Sequence, residues 1–127
     1  PYKDKYCEIT GQTYRQMMID YSESFMKPLY GQDVFGWILF NSMDPSKNSV
    51  VTDSGFAIEA EPVVRSGEFT PVLVHIYRDG CDFRKDSRSY WRIDGLPTTE
   101  IQNNGTVSEA ADQIKLFLDR ILTMSER

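Results

Sequence analysis

The stretch Val72-Leu73-Val74-His75-Ile76-Tyr77 gives the strongest strand signal in this chain of 127 residues. Its apolar residues run continuously and are largely β-branched, without the alternation that marks a half-exposed strand. Such runs are typical of parallel sheets, whose strands are covered on both faces. The stretch therefore predicts a buried strand near residues 71–78 and an α/β fold.

The segments on either side of this strand alternate between strand and helix patterns. Residues 49–53 and 98–102 are predicted as further strands, and residues 13–27, 33–43, 57–65 and 106–124 as helices. The last helix has the clearest start, since Thr106 and Glu109 form a capping box ahead of an apolar stripe. This alternation predicts a single three-layer α/β domain over residues 1–127, with a short, mainly parallel sheet.

Capping and proline positions add detail to the first three helices. Thr13 is expected to cap the first helix, and Pro28 to end it soon after residue 27. Pro62 should lie in the first turn of the helix at 57–65 or break it. Asp33 is the expected N-cap of the helix at 33–43. The residues of that helix expected to face inward are Val34, Trp37, Ile38 and Phe40.

The composition is that of a soluble domain with a net charge of −5. This acidic balance argues against non-specific nucleic-acid binding, which needs an excess of Lys and Arg. No apolar run approaches the ~20 residues that span a bilayer. No signal peptide is visible, so we expect a cytoplasmic protein without a membrane partner. Cys7 and Cys81 lie far apart and are expected to be reduced thiols.

Basic residues cluster locally in this acidic chain. Arg84, Lys85, Arg88 and Arg92 stand against the single acid Asp86. The three arginines are spaced i, i+4, i+8, so a helix there would point three guanidinium groups the same way, and such groups bind phosphate with paired hydrogen bonds. The alternative is a solvated charged loop. The patch predicts a small anionic ligand rather than a long polyanion.

Asp53 is a second candidate for ligand chemistry, because open α/β sheets bind ligands at the C-terminal ends of their strands. A carboxylate there can hold magnesium or accept a hydrogen bond from a sugar or base. Alternatively, Asp53 caps the following turn, since Asp-Ser-Gly is good turn chemistry. His75, the single histidine, has no Cys or Asp cluster near it and makes a poor metal site. We expect it to be a core or edge residue with a satisfied ring, and predict no metal site.

The segment Val50-Val51-Thr52-Asp53-Ser54-Gly55-Phe56, followed by Glu59-Ala60, resembles the strand motif of phage-type deoxynucleoside monophosphate kinases. In that family a hydrophobic strand ends in Asp-x-Arg-Phe, and an Asn-Glu pair follows. A later family strand ends in arginine, as Val74-His75-Ile76-Tyr77-Arg78 does. An Asn-Gly-Thr stretch, similar to Asn103-Asn104-Gly105-Thr106, opens the family's last helix. Upstream, Thr13-Tyr14-Arg15 and Gly31-Gln32-Asp33 with Trp37 are similar to its nucleotide-site helices, so the resemblance runs from about residue 3 to residue 122.

This resemblance implies a P-loop kinase fold in a bacteriophage protein of deoxynucleotide metabolism, working in the cytoplasm of the infected cell. The implied ligand is a deoxynucleoside monophosphate. The implied nucleotide-binding residues are Arg15, Asp53, Arg78, Arg84, Arg88, Arg92 and Asn103.

Four departures from the family pattern change the functional expectation. The 127 residues contain no GxxxxGK[ST] loop, which would hold the ATP phosphates and position magnesium. Gly55 stands where the motif has arginine, Ile58 stands where it has asparagine, and the lid motif is not recognisable near residues 87–90. We therefore expect a nucleotide-binding protein that is inactive or incomplete as a kinase, using ATP and magnesium only if a P-loop is supplied from outside this chain. The alternative is a non-catalytic phage protein that reuses the fold to bind or inhibit a host protein.

The P-loop strand of the resembled fold would lie between residues 49–53 and 71–78. Each buried backbone group without a partner costs about 1–3 kcal/mol, so such a gap must close. We expect residues 49–53 and 71–78 to pair directly, with residues 57–65 as a right-handed crossover. One alternative is a homodimer or a host protein that supplies a strand or covers the edge. The other is that residues 6–10 fold in as a substitute strand.

Overall fold

The computed structural model describes residues 2–84 and 88–125. Within them the chain is mixed α/β, with an antiparallel hairpin and a parallel pair of strands. The elements in chain order are β1 (Tyr6–Cys7), β2 (Gln12–Thr13), α1 (Tyr14–Tyr21), a π-helical turn (Ser22–Met26), α2 (Lys27–Tyr30), α3 (Val34–Ser42), α4 (Ala57–Ser66), β3 (Leu73–Tyr77), β4 (Thr98–Gln102) and α5 (Val107–Ser125). No helix among the described residues is long and apolar enough to cross a membrane.

The first helical run extends beyond residues 13–27. Thr13 caps it as predicted, accepting a hydrogen bond from the Gln16 amide at 3.2 Å. The prediction that Pro28 ends it is wrong, because the helix continues through α2. The π-helical turn lies just before the proline, with the Lys27 N–H bonded to the Ser22 carbonyl five residues back. This wider turn accommodates a residue that lacks an N–H and whose ring crowds the carbonyl four residues earlier.

Helices α3 and α4 pack closely because Gly36 faces α4. A Cβ at Gly36 would clash with the Glu59 carbonyl oxygen and would lie 3.0 Å from Pro62 Cδ. Pro62 is buried in the middle of α4, so the prediction that it lies in the first turn or breaks the helix is wrong. The helix predicted at 57–65 is confirmed to within one residue of its observed end.

The side of α3 that carries Gly36 is its buried side. Val34 faces inward as predicted, with 8% of its surface exposed. Trp37 and Ile38 are 48% and 52% exposed, so the prediction that they face inward is wrong. Close approach of α4 to the small glycine leaves the bulkier residues turned towards solvent. Asp33 precedes the helix as expected, but its carboxylate accepts a hydrogen bond from Trp37 Nε1 at 2.9 Å and caps no backbone amide.

The strands β3 and β4 form the parallel pair. Their register runs from Leu73 opposite Thr98 to Tyr77 opposite Gln102. The amide of Asn103 extends the pairing by donating to the Tyr77 carbonyl at 2.7 Å. The strands predicted near residues 71–78 and at 98–102 are therefore both confirmed.

The two faces of β3 differ in burial. His75 is 5% exposed on one face, whereas Ile101 of β4 pairs with Ile76, lies on the opposite face from His75 and is 2% exposed. Successive side chains on a strand point to opposite faces, and Ile76 is 49% exposed. The expectation that both faces of this strand are covered is therefore confirmed for the face of His75 and only in part for the face of Ile76, where Ile101 is buried and Ile76 is half-exposed.

Residues 49–53 form no strand, so the prediction that they pair directly with residues 71–78 is wrong. Val50 is 86% exposed and Val51 is 41% exposed. Valine favours strands only where a neighbouring strand and a covering layer are present, and the described residues supply neither here. The N-terminal residues add no strand to the β3–β4 pair, because β1 pairs with β2, with Tyr6 opposite Thr13.

Helix α5 begins at the predicted capping box. The Glu109 amide donates to Thr106 Oγ1 at 3.2 Å, and the Thr106 amide donates to Glu109 Oε2 at 2.6 Å. Gln113 fixes the helix to the end of β4, because its side chain accepts from the Gln102 amide at 3.1 Å and donates to the Gln102 carbonyl at 3.0 Å. The apolar stripe is only partly covered, since Leu122 is 62% exposed.

Candidate functional site

Residues 53–56 form a loop that leads into α4 and carries the quoted strand motif. Asp53 is exposed and lines a cleft of about 290 Å³. The remaining lining residues come from α3, from the segment after it and from α4: Phe35, Leu39, Val51, Ser54 and Glu59. The cleft thus combines apolar walls with two carboxylates, the mixture found in small-molecule sites.

Lys27 is a nearly buried cation next to this loop. Its side chain is 11% exposed, and its ammonium group forms a 2.6 Å ion pair with Glu23. The same ammonium lies 5.3 Å from the centre of the Phe56 ring. Burial raises the pKa of Glu59, with Lys27 opposing the rise and Asp53 adding to it. The loop is therefore surrounded by charges from the first helical run and from α4.

Residues 88–92 cross the 53–56 loop. Trp91 Nε1 donates a hydrogen bond to the Ser54 carbonyl at 3.1 Å. The stem of Arg88 lies over Gly55, where a Cβ would be 2.7 Å from Arg88 Cδ. The structure therefore brings the predicted site residue Arg88 to the loop that holds the predicted site residue Asp53.

The 88–92 segment is also fixed to β3. The Tyr90 hydroxyl donates to the Ile76 carbonyl at 2.6 Å, and its ring lies against Tyr77, tilted by 32°, at a centroid distance of 4.3 Å. Burial, with a smaller effect of Tyr77, raises the pKa of Tyr90, so the hydroxyl remains a donor at neutral pH. His75 Nε2 lies 2.8 Å from the Trp91 carbonyl and must donate to it. Its buried Nδ1 has no hydrogen-bond partner among the described residues, so the expected satisfied ring is found at Nε2 only.

Three of the predicted arginines form ion pairs with nearby carboxylates. These are Arg15 with Asp4 at 2.8 Å, Arg84 with Asp82 at 2.6 Å and Arg92 with Glu100 at 2.5 Å. Exposed pairs of this kind contribute at most about 1 kcal/mol, so a phosphate can exchange with them. Residues 84 and 88–92 lie in irregular backbone, so they do not form the helical face that their spacing allowed. The part of the basic patch at residues 85–87 lies outside the described residues.

Arg78 and Asn103 follow the two parallel strands directly. The Arg78 carbonyl accepts a hydrogen bond from the Cys81 amide at 3.0 Å, which turns the chain away from the sheet. The neighbouring Asn104 accepts from the Asp79 amide through its side-chain oxygen at 2.8 Å. Arg78 and Asn103 therefore share the strand end at which α/β proteins bind ligands, while Arg15, Arg84 and Arg92 lie in local ion pairs.

A second cleft, of about 280 Å³, lies between α3 and α4. Trp37 meets the Phe40 ring edge-on at 5.8 Å, and Arg65 pairs with Glu61 at 2.8 Å. Its lining is Asp33, Trp37, Phe40, Glu61, Pro62, Arg65, Ser66 and Glu68. Three carboxylates against one paired arginine make this cleft unfavourable for phosphate. The resemblance grouped Asp33 and Trp37 with the nucleotide site, but they line a different cleft from Asp53.

Four residues near the loop were not predicted as site residues: Lys27, Glu59, Tyr90 and Trp91. Glu23 and Lys27 carry a local signal, because opposite charges four residues apart on a helix form ion pairs. No local pattern indicates the bond between Trp91 and Ser54, which are 37 residues apart. Contacts of this kind depend on the path of residues 78–97.

Comparison of the chain with models of protein families, with curated proteins and with solved structures gives no match. Within residues 2–84 and 88–125, no three His, Cys, Asp or Glu side chains group in a way that could hold a metal ion. The kinase resemblance and the nucleotide site therefore remain proposals.

Proposed function

We propose that this chain is a nucleotide-binding protein related to deoxynucleoside monophosphate kinases, and that it is inactive or incomplete as a kinase. The supporting observation is the meeting of Arg88 with the 53–56 loop, because this loop carries the motif resemblance. Arginine binds a monophosphate with paired, charge-assisted hydrogen bonds. On this proposal the mixed α/β arrangement, with its parallel pair β3 and β4, corresponds to part of a P-loop kinase fold.

The charges around the loop determine how the ligand lies. The carboxylates of Asp53 and Glu59 repel a phosphate and accept hydrogen bonds from a sugar or base. The walls formed by Phe35 and Leu39 suit the flat apolar faces of a base. The base and sugar therefore occupy the cleft, and the phosphate lies on the side of the loop where Arg88 crosses it.

Titration with each of the four deoxynucleoside monophosphates, followed by calorimetry and by amide chemical shifts, tests this proposal. Weak binding is expected, with a Kd of roughly 1 mM or below. Arg88→Gln should weaken it about tenfold, since it removes hydrogen bonds to a charged group. Asp53→Asn should weaken it as well. The exposed residues Asp94 and Arg120 give the matched controls Asp94→Asn and Arg120→Gln. The proposal would be contradicted if none of the four ligands produced heat or changed the amide chemical shifts.

A second candidate function is that of a non-catalytic protein that binds another protein, a host protein in the phage setting. It is favoured by an exposed apolar face on the first helical run, where Tyr21 and Phe25 stack at 5.2 Å. Apolar patches of this kind mark interaction sites. The residues of this face are Tyr14, Met18, Tyr21, Phe25 and Leu29, which are 43% to 59% exposed.

The two candidates respond to different substitutions. Phe25→Glu should abolish association through the helical face and leave nucleotide binding unchanged. Val50→Glu, at an exposed position outside the helices, is the matched control. Light scattering over a range of concentrations measures self-association, and titration measures nucleotide binding. Nucleotide binding lost with Phe25→Glu but retained with Arg88→Gln would favour a site away from the 53–56 loop.

A further inference from the structure

Gly55 provides the space in which Arg88 lies. A Cβ at this position would be 2.7 Å from Arg88 Cδ and 2.9 Å from Arg88 Cγ, so a side chain there would displace the arginine stem. In the motif that this segment resembles, the same position is an arginine. The chain therefore has a glycine where the side chain of the motif arginine would begin, and the stem of Arg88, from a distant segment, lies over it.

Tyr90 and Trp91 fix the segment that carries Arg88. The Tyr90 hydroxyl is bonded to the Ile76 carbonyl on β3 at 2.6 Å. Trp91 is held at two points, since its carbonyl accepts from His75 Nε2 at 2.8 Å and its Nε1 donates to Ser54 at 3.1 Å. Ser54 is adjacent to Gly55, so the Trp91 bond and the Arg88 stem meet the same part of the loop.

We infer that Arg88 supplies from across the fold the guanidinium group that binds the phosphate of the ligand at the 53–56 loop, and that Tyr90 and Trp91 are positioning residues for it. This inference rests on the proposed function. Holding the arginine stem before the ligand arrives reduces the conformational entropy lost on binding. The arrangement also implies that an arginine at position 55 can take over from Arg88, because it would start beneath the present stem.

The phosphate dependence of binding tests the role of Arg88. The probes are two ligand pairs, dCMP with deoxycytidine and dTMP with thymidine, and the readout is the ratio of their dissociation constants. The unaltered chain should bind each monophosphate about tenfold or more tightly than its nucleoside. Arg88→Ala should remove most of this ratio without weakening nucleoside binding. Arg120→Ala, which removes an exposed cation from α5, should leave the ratio unchanged.

Moving the arginine from position 88 to position 55 tests whether the two side chains can reach the same phosphate. In the Arg88→Ala background, Gly55→Arg should restore most of the phosphate preference, because the new side chain begins under the space that the Arg88 stem leaves and can extend through it. Gly55→Gln in the same background is the control for side-chain size without charge, and it should restore none. The inference would be contradicted if Gly55→Gln restored the phosphate preference, or if Gly55→Arg failed to restore it in a folded double variant.

Double-mutant cycles test the positioning residues. Tyr90→Phe removes one hydroxyl, and Trp91→Phe removes the indole N–H together with one ring. Each should lower the phosphate preference several-fold in the unaltered chain and have no effect when Arg88 is already alanine. A purely structural role would lower nucleoside binding too and would persist in the Arg88→Ala background. If the unaltered chain binds none of the monophosphates and nucleosides, the proposed function and the inference both fail. If it binds the monophosphates and its phosphate preference survives Arg88→Ala, the inference alone is overturned.

Discussion

Gly36 in α3 lies against Pro62 in α4, with no room between them for a methyl group. The backbone carbonyl of Glu59 lies closer still to the face of the glycine. Pro62 has no N–H to offer the preceding turn of its helix, and its buried ring instead fills the space beside Gly36. The 53–56 loop is the last part of the segment that joins α3 to α4, so the packing of this helix pair affects where Asp53 lies.

Gly36→Ala should therefore destabilise the chain. Overpacking at a close contact costs about 1–3 kcal/mol, whereas helix propensity alone predicts that alanine stabilises by about 1 kcal/mol. The two effects have opposite signs, so denaturant unfolding distinguishes them clearly. Asn41→Ala, at an exposed position of the same helix, is the control and should change little. A Gly36→Ala variant more stable than the unaltered chain would show that α3 and α4 do not meet at this glycine.

The carboxylate of Glu59 should make stability depend on pH. Burial raises its pKa above the ordinary value of 4.5, so the folded chain binds this proton more tightly than the unfolded chain does. Stability from this group is present below pH 4.5 and is lost as the pH rises through the raised pKa. Glu59→Gln should raise the Tm at neutral pH by about 1–3 °C, a small effect because the group is partly solvated.

The same substitution should bring no gain under acidic conditions, where Glu59 is already protonated. Thermal unfolding of both proteins at pH 7 and at about pH 4 measures this difference. Glu8→Gln, at an exposed position near the N-terminal hairpin, controls for the loss of one negative charge. An equal gain in Tm at both pH values would show that desolvation of Glu59 is not the cause.

The capping box should also make stability depend on pH, but in the direction opposite to that of Glu59. Hydrogen bonds from the Thr106 amide and hydroxyl hold the pKa of Glu109 below its ordinary value of 4.5. The stabilisation is therefore present above pH 4.5 and lost as the pH falls through the lowered pKa. Thr106→Ala should cost about 1 kcal/mol at neutral pH. Ser108→Ala, in the same turn, is the control.

Circular dichroism at the helix band during unfolding follows this cap. Glu109→Ala should lower helicity at neutral pH, and its difference from the unaltered chain should narrow in acid. A difference that grows as the pH falls would mean that the hydrogen bonds to the Glu109 carboxylate do not stabilise the helix start.

The elements that sequence patterns predicted correctly depend on residues close in the chain. Thr106 and Glu109 are three residues apart, and each supplies a partner for the other's amide. Strand β4 was predicted at its observed limits, and α4 to within one residue. In such cases the physical cause of the element lies within its own sequence.

The predictions that failed depend on distant neighbours. Val50 and Val51 favour a strand only beside another strand, and the described residues place none there. Trp37 carries an apolar pattern but turns outward because Gly36 sets the face that meets α4. At the candidate site, Asp53 was predicted as the end of a strand that does not form, and Arg88 from an arginine spacing that is not helical. The Trp91 contact that links their segments has no local signal.

Transfer of phosphate from ATP to a deoxynucleoside monophosphate should be undetectable with this chain alone. Phosphoryl transfer depends almost entirely on positioning the phosphates and neutralising their charge. The 127 residues contain no GxxxxGK[ST] loop to hold the ATP phosphates, and the cleft beside Asp53 carries carboxylates that repel them. A coupled assay with ATP, magnesium and each of the four monophosphates should give the rate measured without protein, while an active kinase added to the same mixture confirms that the coupling works. Turnover well above that background, abolished by Asp53→Ala and retained by Asp94→Ala, would mean that another element of this chain replaces the P-loop.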